Sequence, residues 1–472
     1  MPWPAHSRRK GGFAMIVVIL VASIAAISLM SYVQLSLNGL KMAERSFHTN
    51  GAMNLAELGL EEAMYCYNRL GSVSTPPDAW AGWTLSGTTA KRTFSGFTHG
   101  ANSTGSVKVY CANFNPSVGT TPAVVAQATV TLPQGPPVTK MIEVTIRRRS
   151  LHSGGLVARN SLQLMGNTTV SAWKSDPDNN PATPFVPYSL SDRTDKALVA
   201  TASASNGALN VNGSNVDIYG RVASGGGTII TGSNTRIHDA TSPFSPLVDP
   251  DLVTTDFSAS FPAVPLPAPT VANIVSSNIT GSTNFPRAGD LPNTDGRYYY
   301  QFNAGSKISL TSNHTININA DLTFIFNNHS GSMTIELPSN NVIKVNGTAV
   351  LHVYTNGNVA LDSNTTVAGN REPGACQIYG TNPTIGGQSF SLSSNAVIHA
   401  AIYAPNANVT ADSNGTIRGS LTANTITFNS NVQFNHDESL QAAGSGNPFG
   451  LVAWREMRTR AERLSYASQL SF

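Results

Sequence analysis

The sequence predicts a mainly β fold carried on one long N-terminal helix. Three observations lead there: an unbroken apolar stretch near the start that runs into amphipathic sequence, short alternating segments after it, and a Ser-Asn phrase that keeps returning through the rest of the chain. At 472 residues the chain exceeds one ordinary domain, so two or three units are expected.

Charged residues make up 12% of the chain, about half of the ~25% usual in soluble domains. Asn, Ser, Thr and Gly fill the gap, giving a polar but nearly uncharged surface of the kind exported β proteins carry. The net charge of +3 is too small to argue for a nucleic-acid partner. The three cysteines, Cys66, Cys111 and Cys376, are too few for a disulfide scaffold, and no two have metal-knuckle spacing.

The first element follows a basic leader. Residues 1–12 read MPWPAHSRRKGG, and Phe13 to Val33 then carries no charge, long enough to cross a ~30 Å hydrocarbon core as a helix. Arg8, Arg9 and Lys10 before it are expected to hold the leader in the cytoplasm and send the rest across the membrane in a single pass. A secretory signal would have an apolar core of ~7–15 residues and a small-x-small cleavage site. Here the stretch is longer, and Leu40, Ala43, Phe47, Leu55, Leu58, Ala63 and Cys66 continue at near-helical spacing among Glu44, Arg45, Glu57, Glu61 and Glu62. One helix from about 13 to about 70 is expected, interrupted only by Gly39, Gly51 and Gly59.

A basic leader ending in Gly, then Phe, then apolar sequence running into an amphipathic helix resembles the type IV pilin and pseudopilin N-terminus. RRKGGFAMIVVIL and the downstream Asn54-Leu55-Ala56-Glu57 look most like the PilX-type minor pilins. The resemblance implies that a prepilin peptidase cuts between Gly12 and Phe13 and methylates Phe13, and that other pilins or pseudopilins are partners through the helix. Major pilins carry Glu at the fifth mature position, where it meets a neighbour's terminal amine. This chain has Val17 there, which suits a minor, initiating or tip subunit better than a bulk one. A plain membrane anchor is the competing reading.

Residues 71–150 hold alternating runs such as SVKVYCANF and KMIEVTIRRR and read as a small sheet against the helix end. Cys66 and Cys111 can meet there, and a disulfide between them is expected. From about 155, GNTTV, GSNVDIYG, GSNTRIHD, SNHTININ, SNNVIKV, SNTTV, SNAVIHAAIYA, SNGTIRGS and SNVQF recur, the later intervals running from 17 to 31 residues. Asn tolerates the left-handed conformation a corner needs, and stacked corners let Asn side chains bond along a ladder. A right-handed parallel β-helix over 153–440 is expected, with irregular insertions at 176–205 and 240–300 and a tail at 441–472 ending in a short helix. A β-sandwich with Asn-rich hairpins is the alternative, disfavoured because Asx-Gly pairs are scarce. Pro-rich SFPAVPLPAPTVANI should cross the surface as extended loop. AVIHAAIYAPNANV, the closing Phe434-Asn435-His436-Asp437-Glu438-Ser439-Leu440, SGGLVARNSLQLMGNTTVSAWKSD and NPFGLVAWREMR resemble the solenoid domain found behind PilX-type N-termini, which implies an architecture and no established activity.

β-Helices also host polysaccharide lyases and hydrolases, whose chemistry needs acids clustered on neighbouring coils. Asp217, Asp239, Asp362, Asp412 and Asp437 are the candidates. Asp362 and Asp412 share a repeat phase but are expected two coils or more apart. His436, Asp437 and Glu438 are consecutive on a strand and cannot converge on a metal, and His399 reads as a packed strand residue. No nucleophile, phosphate-loop, dinucleotide or zinc signature is present, and no cofactor is expected. The expected function is therefore non-catalytic: a pilin-like subunit of a type IV pilus or related secretion fibre that displays a β-helix for adhesion, with surface carbohydrate a candidate contact. The alternatives are an anchored β-helix without a fibre role and a carbohydrate-active enzyme.

Overall fold

The computed structural model describes residues 11–472 apart from 71–74, 99, 101–102, 117–119, 134, 149, 179–182, 241–246, 370 and 443–448. It divides into two units, Met1–Arg148 with Gly446–Phe472, and Arg149–Ser445.

In the first unit, helix α1 runs over Gly11–Arg69. Strands Thr84–Ser86, Thr89–Thr98, Thr104–Cys111, Ala123–Thr131 and Val138–Arg148 follow as an antiparallel meander. The sixth strand is Phe449–Glu456, paired antiparallel with Val138–Arg148. The expected tail is thus largely ordered structure, because its alternating apolar residues complete a sheet edge that the first five strands leave open. Strand alternation puts Val107, Val109, Ala126, Ala128, Ile142, Val144 and Ile146 on one face, under the second half of α1. Helix and sheet approach closely: a Cβ on Gly59 would lie 2.7 Å from Val109 and 2.9 Å from Val107. Met457 and Leu470 cover the opposite face at Val125 and Met141. The short helix α2, Arg460–Leu464, starts on a capping box of Thr459 and Glu462.

Cys66 and Cys111 belong to the core beneath α1 as free thiols, so the disulfide expected between them is absent. Burial pushes the Cys66 thiol up to about 11 and Cys111 well above its ordinary range, which keeps both protonated and packing as small apolar groups.

The second unit consists of three parallel ladders, and each turn of chain adds one strand to each. Ile316, Ile343, Val367, Ile398, Ile417, Phe434, Val170, Ile218 and Ile237 lie in register in the first. Tyr300, Phe324, Val353, Ile378, Ile402, Leu421, Leu156, Val199, Val222 and Val253 do so in the second. The third carries Ile308, Ile335, Val359, Phe390, Val409, Ile426, Leu162, Leu209 and Ile229. Nearly all of these residues lie in one apolar core.

The order of rungs differs from the order of the chain. The first rung, residues 156–173, stacks on the last, 416–437, and later rungs continue outward to Thr254. Residues 255–272 form no strand or helix and lead to Asn273–Val275, which starts the stack at its other end. On the way Phe257 and Phe261 pack on Val157, Ala200 and Ala223, and the Tyr403 hydroxyl donates to the Pro262 carbonyl at 2.9 Å. The expected insertions are shorter than 176–205 and 240–300, since Ala197–Thr201, Asn273–Val275, Thr283–Phe285 and Tyr298–Phe302 are all ladder strands.

The Ser-Asn phrases are the corners. Asn313, Asn340, Asn364, Asn395 and Asn414 have φ between 58° and 67°. Their amides, with those of Asn431 and Asn167, join seven rungs side chain to side chain at 2.8–3.2 Å. Asn395→Ala is expected to cost about 1–2 kcal/mol, through left-handed strain and two lost bonds, and Asn395→Gly about half as much. Urea unfolding of the two variants measures the difference; equal losses would show that backbone strain plays no part. Denatured, unreduced protein should titrate with three free thiols.

Candidate functional site

Two surfaces stand out, one in each unit. The first is the leading half of α1. Residues 15–40 carry no charged side chain, the most apolar window has mean hydropathy 2.6, and none of that window is buried. At 1.5 Å per residue this is about 39 Å of helix, enough to cross a membrane by length and composition. Its polar groups are partly provided for internally, since Ser23 and Ser31 donate to the Ile19 and Ile27 carbonyls at 2.8 and 2.9 Å. Beyond His48 the same helix changes role. Ala52, Leu55, Ala56, Leu60, Ala63 and Tyr67 are buried on the sheet. Gly12 and Phe13, the expected processing site, lie in the first turn of α1, but their side chains are outside the described residues. Val17 is 45% exposed, like its apolar neighbours.

The second surface is the outside of the ladders, where the candidate acids fall. Asp217 accepts from His238 at 2.8 Å, and the Arg193 guanidinium stacks 3.5 Å from the centre of the neighbouring Tyr219 ring. The Asp239 carbonyl lies 2.7 Å from the other His238 nitrogen. Asp362 caps its corner, accepting from the Ser363 amide at 2.8 Å and the Ser393 hydroxyl at 2.7 Å, and these bonds hold its carboxyl below the usual range. The register places Ser393 between Asp362 and Asp412, so the two carboxylates sit two rungs, about 10 Å, apart. The residue between them in the column is Ser393, and corner capping accounts for Asp362.

Asp437 has a different task. It is buried and accepts from the Ser175 amide at 3.0 Å, the Ser175 hydroxyl at 2.7 Å and the Ser439 amide at 3.0 Å. Glu438 accepts from Thr194 and meets Lys196 at 3.6 Å, while the Asp176 amide donates to Ser439 at 2.8 Å. His436 points the other way and donates to the Gly419 carbonyl at 3.0 Å. The His-Asp-Glu run is therefore a latch that ties the last rung to the loop leaving the first. No local signal could reveal Ser175, Thr194 and Lys196 as partners, because they lie more than 240 residues away in sequence. Among the described residues no three His, Cys, Asp or Glu side chains are grouped to hold a metal ion.

Comparison with known proteins adds one match. A family model described as a domain of unknown function (DUF7305) matches residues 255–443. No curated protein and no solved structure matches the chain. The matched span begins in the crossing segment and ends just past the latch. It leaves out residues 156–254, the rungs that complete the stack.

Buried histidines give the second unit an acid limit. Burial pushes His152 and His352 down to about 3 and His399 to about 4, and lowers His436. Each ring is neutral when folded and takes a proton near pH 6.5 when unfolded, so stability is lost as pH falls from about 6.5 toward 4. Buried Asp437, whose carboxyl burial raises, works in the opposite sense. The urea midpoint should fall between pH 7.5 and 5, by up to about 1.4 kcal/mol per pH unit for each titrating ring. A flat midpoint over that range would contradict neutral burial. Asp437→Ala leaves two amides and a hydroxyl unmet and should cost roughly 1–3 kcal/mol for each buried group stranded, read from the same unfolding curves.

Proposed function

We propose that this chain is a non-catalytic, pilin-like subunit that assembles through α1 and displays the laddered unit outside the inner membrane. The observation that carries the reading is the division of one continuous helix into a bare apolar half and a half docked on an antiparallel sheet. A helix of that form resides in lipid first and then exchanges lipid for the flanks of similar helices, by close packing. The bare half must be covered by something, since an apolar patch this size is not tolerated in water. The basic leader ending in Gly12 supports prepilin-peptidase processing with Phe13 as the new terminus. Val17 in place of the assembly glutamate supports a minor or initiating role. Pilus and type II secretion fibres fit equally.

We read the three ladders as a right-handed parallel β-helix. Parallel pairing at every rung, one shared core and the Asn corners support it, and the right hand follows from the general chirality of parallel crossovers. A non-catalytic role is supported by the uses found for the acids: capping for Asp362, latching for Asp437 and a histidine pair for Asp217.

N-terminal sequencing and intact mass of the membrane-fraction protein test the assembly reading. With the host's prepilin peptidase present, the chain should begin at N-methylated Phe13, and without it at residue 1 or 2. A full-length chain in both backgrounds would leave an anchored β-helix with no fibre role.

A further inference from the structure

The outward surfaces of the three ladders are not equivalent. The second is crossed by the 255–272 segment through Phe257, Phe261 and Pro262. The first is covered around its seam, where Tyr188 bonds Ser171 at 3.0 Å and packs edge-on against Trp173 at 5.6 Å. Among the described residues no crossing segment bonds to the third. Its outward side chains form two columns: Asn358, Ser389, Asn408, Thr425 and Ser161, and beside them Ala360, Ser391, Thr410, Thr427, Gln163 and Asn210.

Three properties of this face point to one kind of ligand. No charged side chain occurs in either column between Asn358 and Asn210, and the Lys307–Glu336 pair at 2.7 Å marks where charge resumes. The side chains are short, so the face is flat and small loss of rotamer freedom accompanies binding. Ser389, Ser391, Thr410, Thr427, Ser161 and Gln163 are exposed or half-buried and make no side-chain hydrogen bond within the described structure, whereas the corner asparagines are bonded to one another. The columns thus offer donors and acceptors at every rung, about 4.8 Å apart.

We propose that the outer face of the third ladder binds a neutral, extended polysaccharide lying along the stack. A chain of hexose rings advances by a distance similar to one rung, so successive hydroxyls can meet successive Ser, Thr and Gln side chains. An anionic ligand would find no cation there, and an apolar one no exposed aromatic. Each contact is weak, and many copies on one fibre would make the binding useful by avidity. In that respect the inference rests on the display reading, although the face itself does not.

The test is co-sedimentation of the detergent-solubilised full chain with insoluble cellulose and chitin, with soluble alginate in affinity gels as the anionic comparison. Wild type should sediment with at least one neutral polysaccharide and run unretarded in alginate. Thr410→Lys and Ser391→Glu should each weaken binding tenfold or more, because either sign of charge obstructs a neutral chain. Gln433→Lys, on the first ladder, should not. Two variants of opposite charge, with urea midpoints matched to wild type, guard against misfolding. Failure of wild type to bind either neutral polysaccharide, equal binding of the neutral polysaccharide by all variants, or retention of wild type in alginate would each overturn the proposal. N-terminal processing is read separately on the same samples, so loss of the assembly reading and loss of this one are distinguishable.

Discussion

Backbone pairing between the first rung, 156–173, and the last, 416–437, is the contact on which the second unit depends. A stack of parallel strands has two open edges, and each unpaired N–H and C=O there demands a partner. Residues 156–254 and 273–437 form two half-stacks, and without the seam four edges would be open instead of two. Pairing Leu421 with Leu156 and Phe434 with Val170 also makes one apolar core of two. The latch at Asp437 and Glu438 fixes the loop that leaves this rung, in a place where an unmet buried carboxylate would be costly.

The seam has a topological consequence. Because the stack begins and ends in its own middle, the two ends of the second unit lie on adjacent rungs. In the first unit, Arg148 and Phe449 are register partners on neighbouring strands. The second unit is therefore an insertion between two paired strands of the first, which is how a small sheet can carry a large unit without a break in its own hydrogen bonding.

The corners solve two physical problems with one residue type. A turn between ladders needs positive φ, which Asn adopts with little strain, and its side chain is long enough to bond the Asn one rung away. Satisfying the amides along the column lets a chain with only 12% charged residues keep a polar exterior. In α1 the division is between burial and exposure. Gly59 and the alanines at 52, 56 and 63 let the helix settle onto the sheet, while the leading half keeps bulky Ile, Leu, Met and Val side chains on its surface.

Elements with a local cause are legible in the residue order alone. The span of α1, the bare apolar length, the Asn corners and the strands around them follow from residue spacing and backbone preference within a few positions, and each was readable. Tertiary structure decided what depends on distant partners: the order of the rungs, the recruitment of Phe449–Glu456 as a sixth strand, the free state of Cys66 and Cys111, and the role of His436-Asp437-Glu438 as a latch. A strand's alternation states which face it buries but not which open edge it will meet. That choice is made only when the apolar faces and unpaired edges of the whole chain are satisfied together.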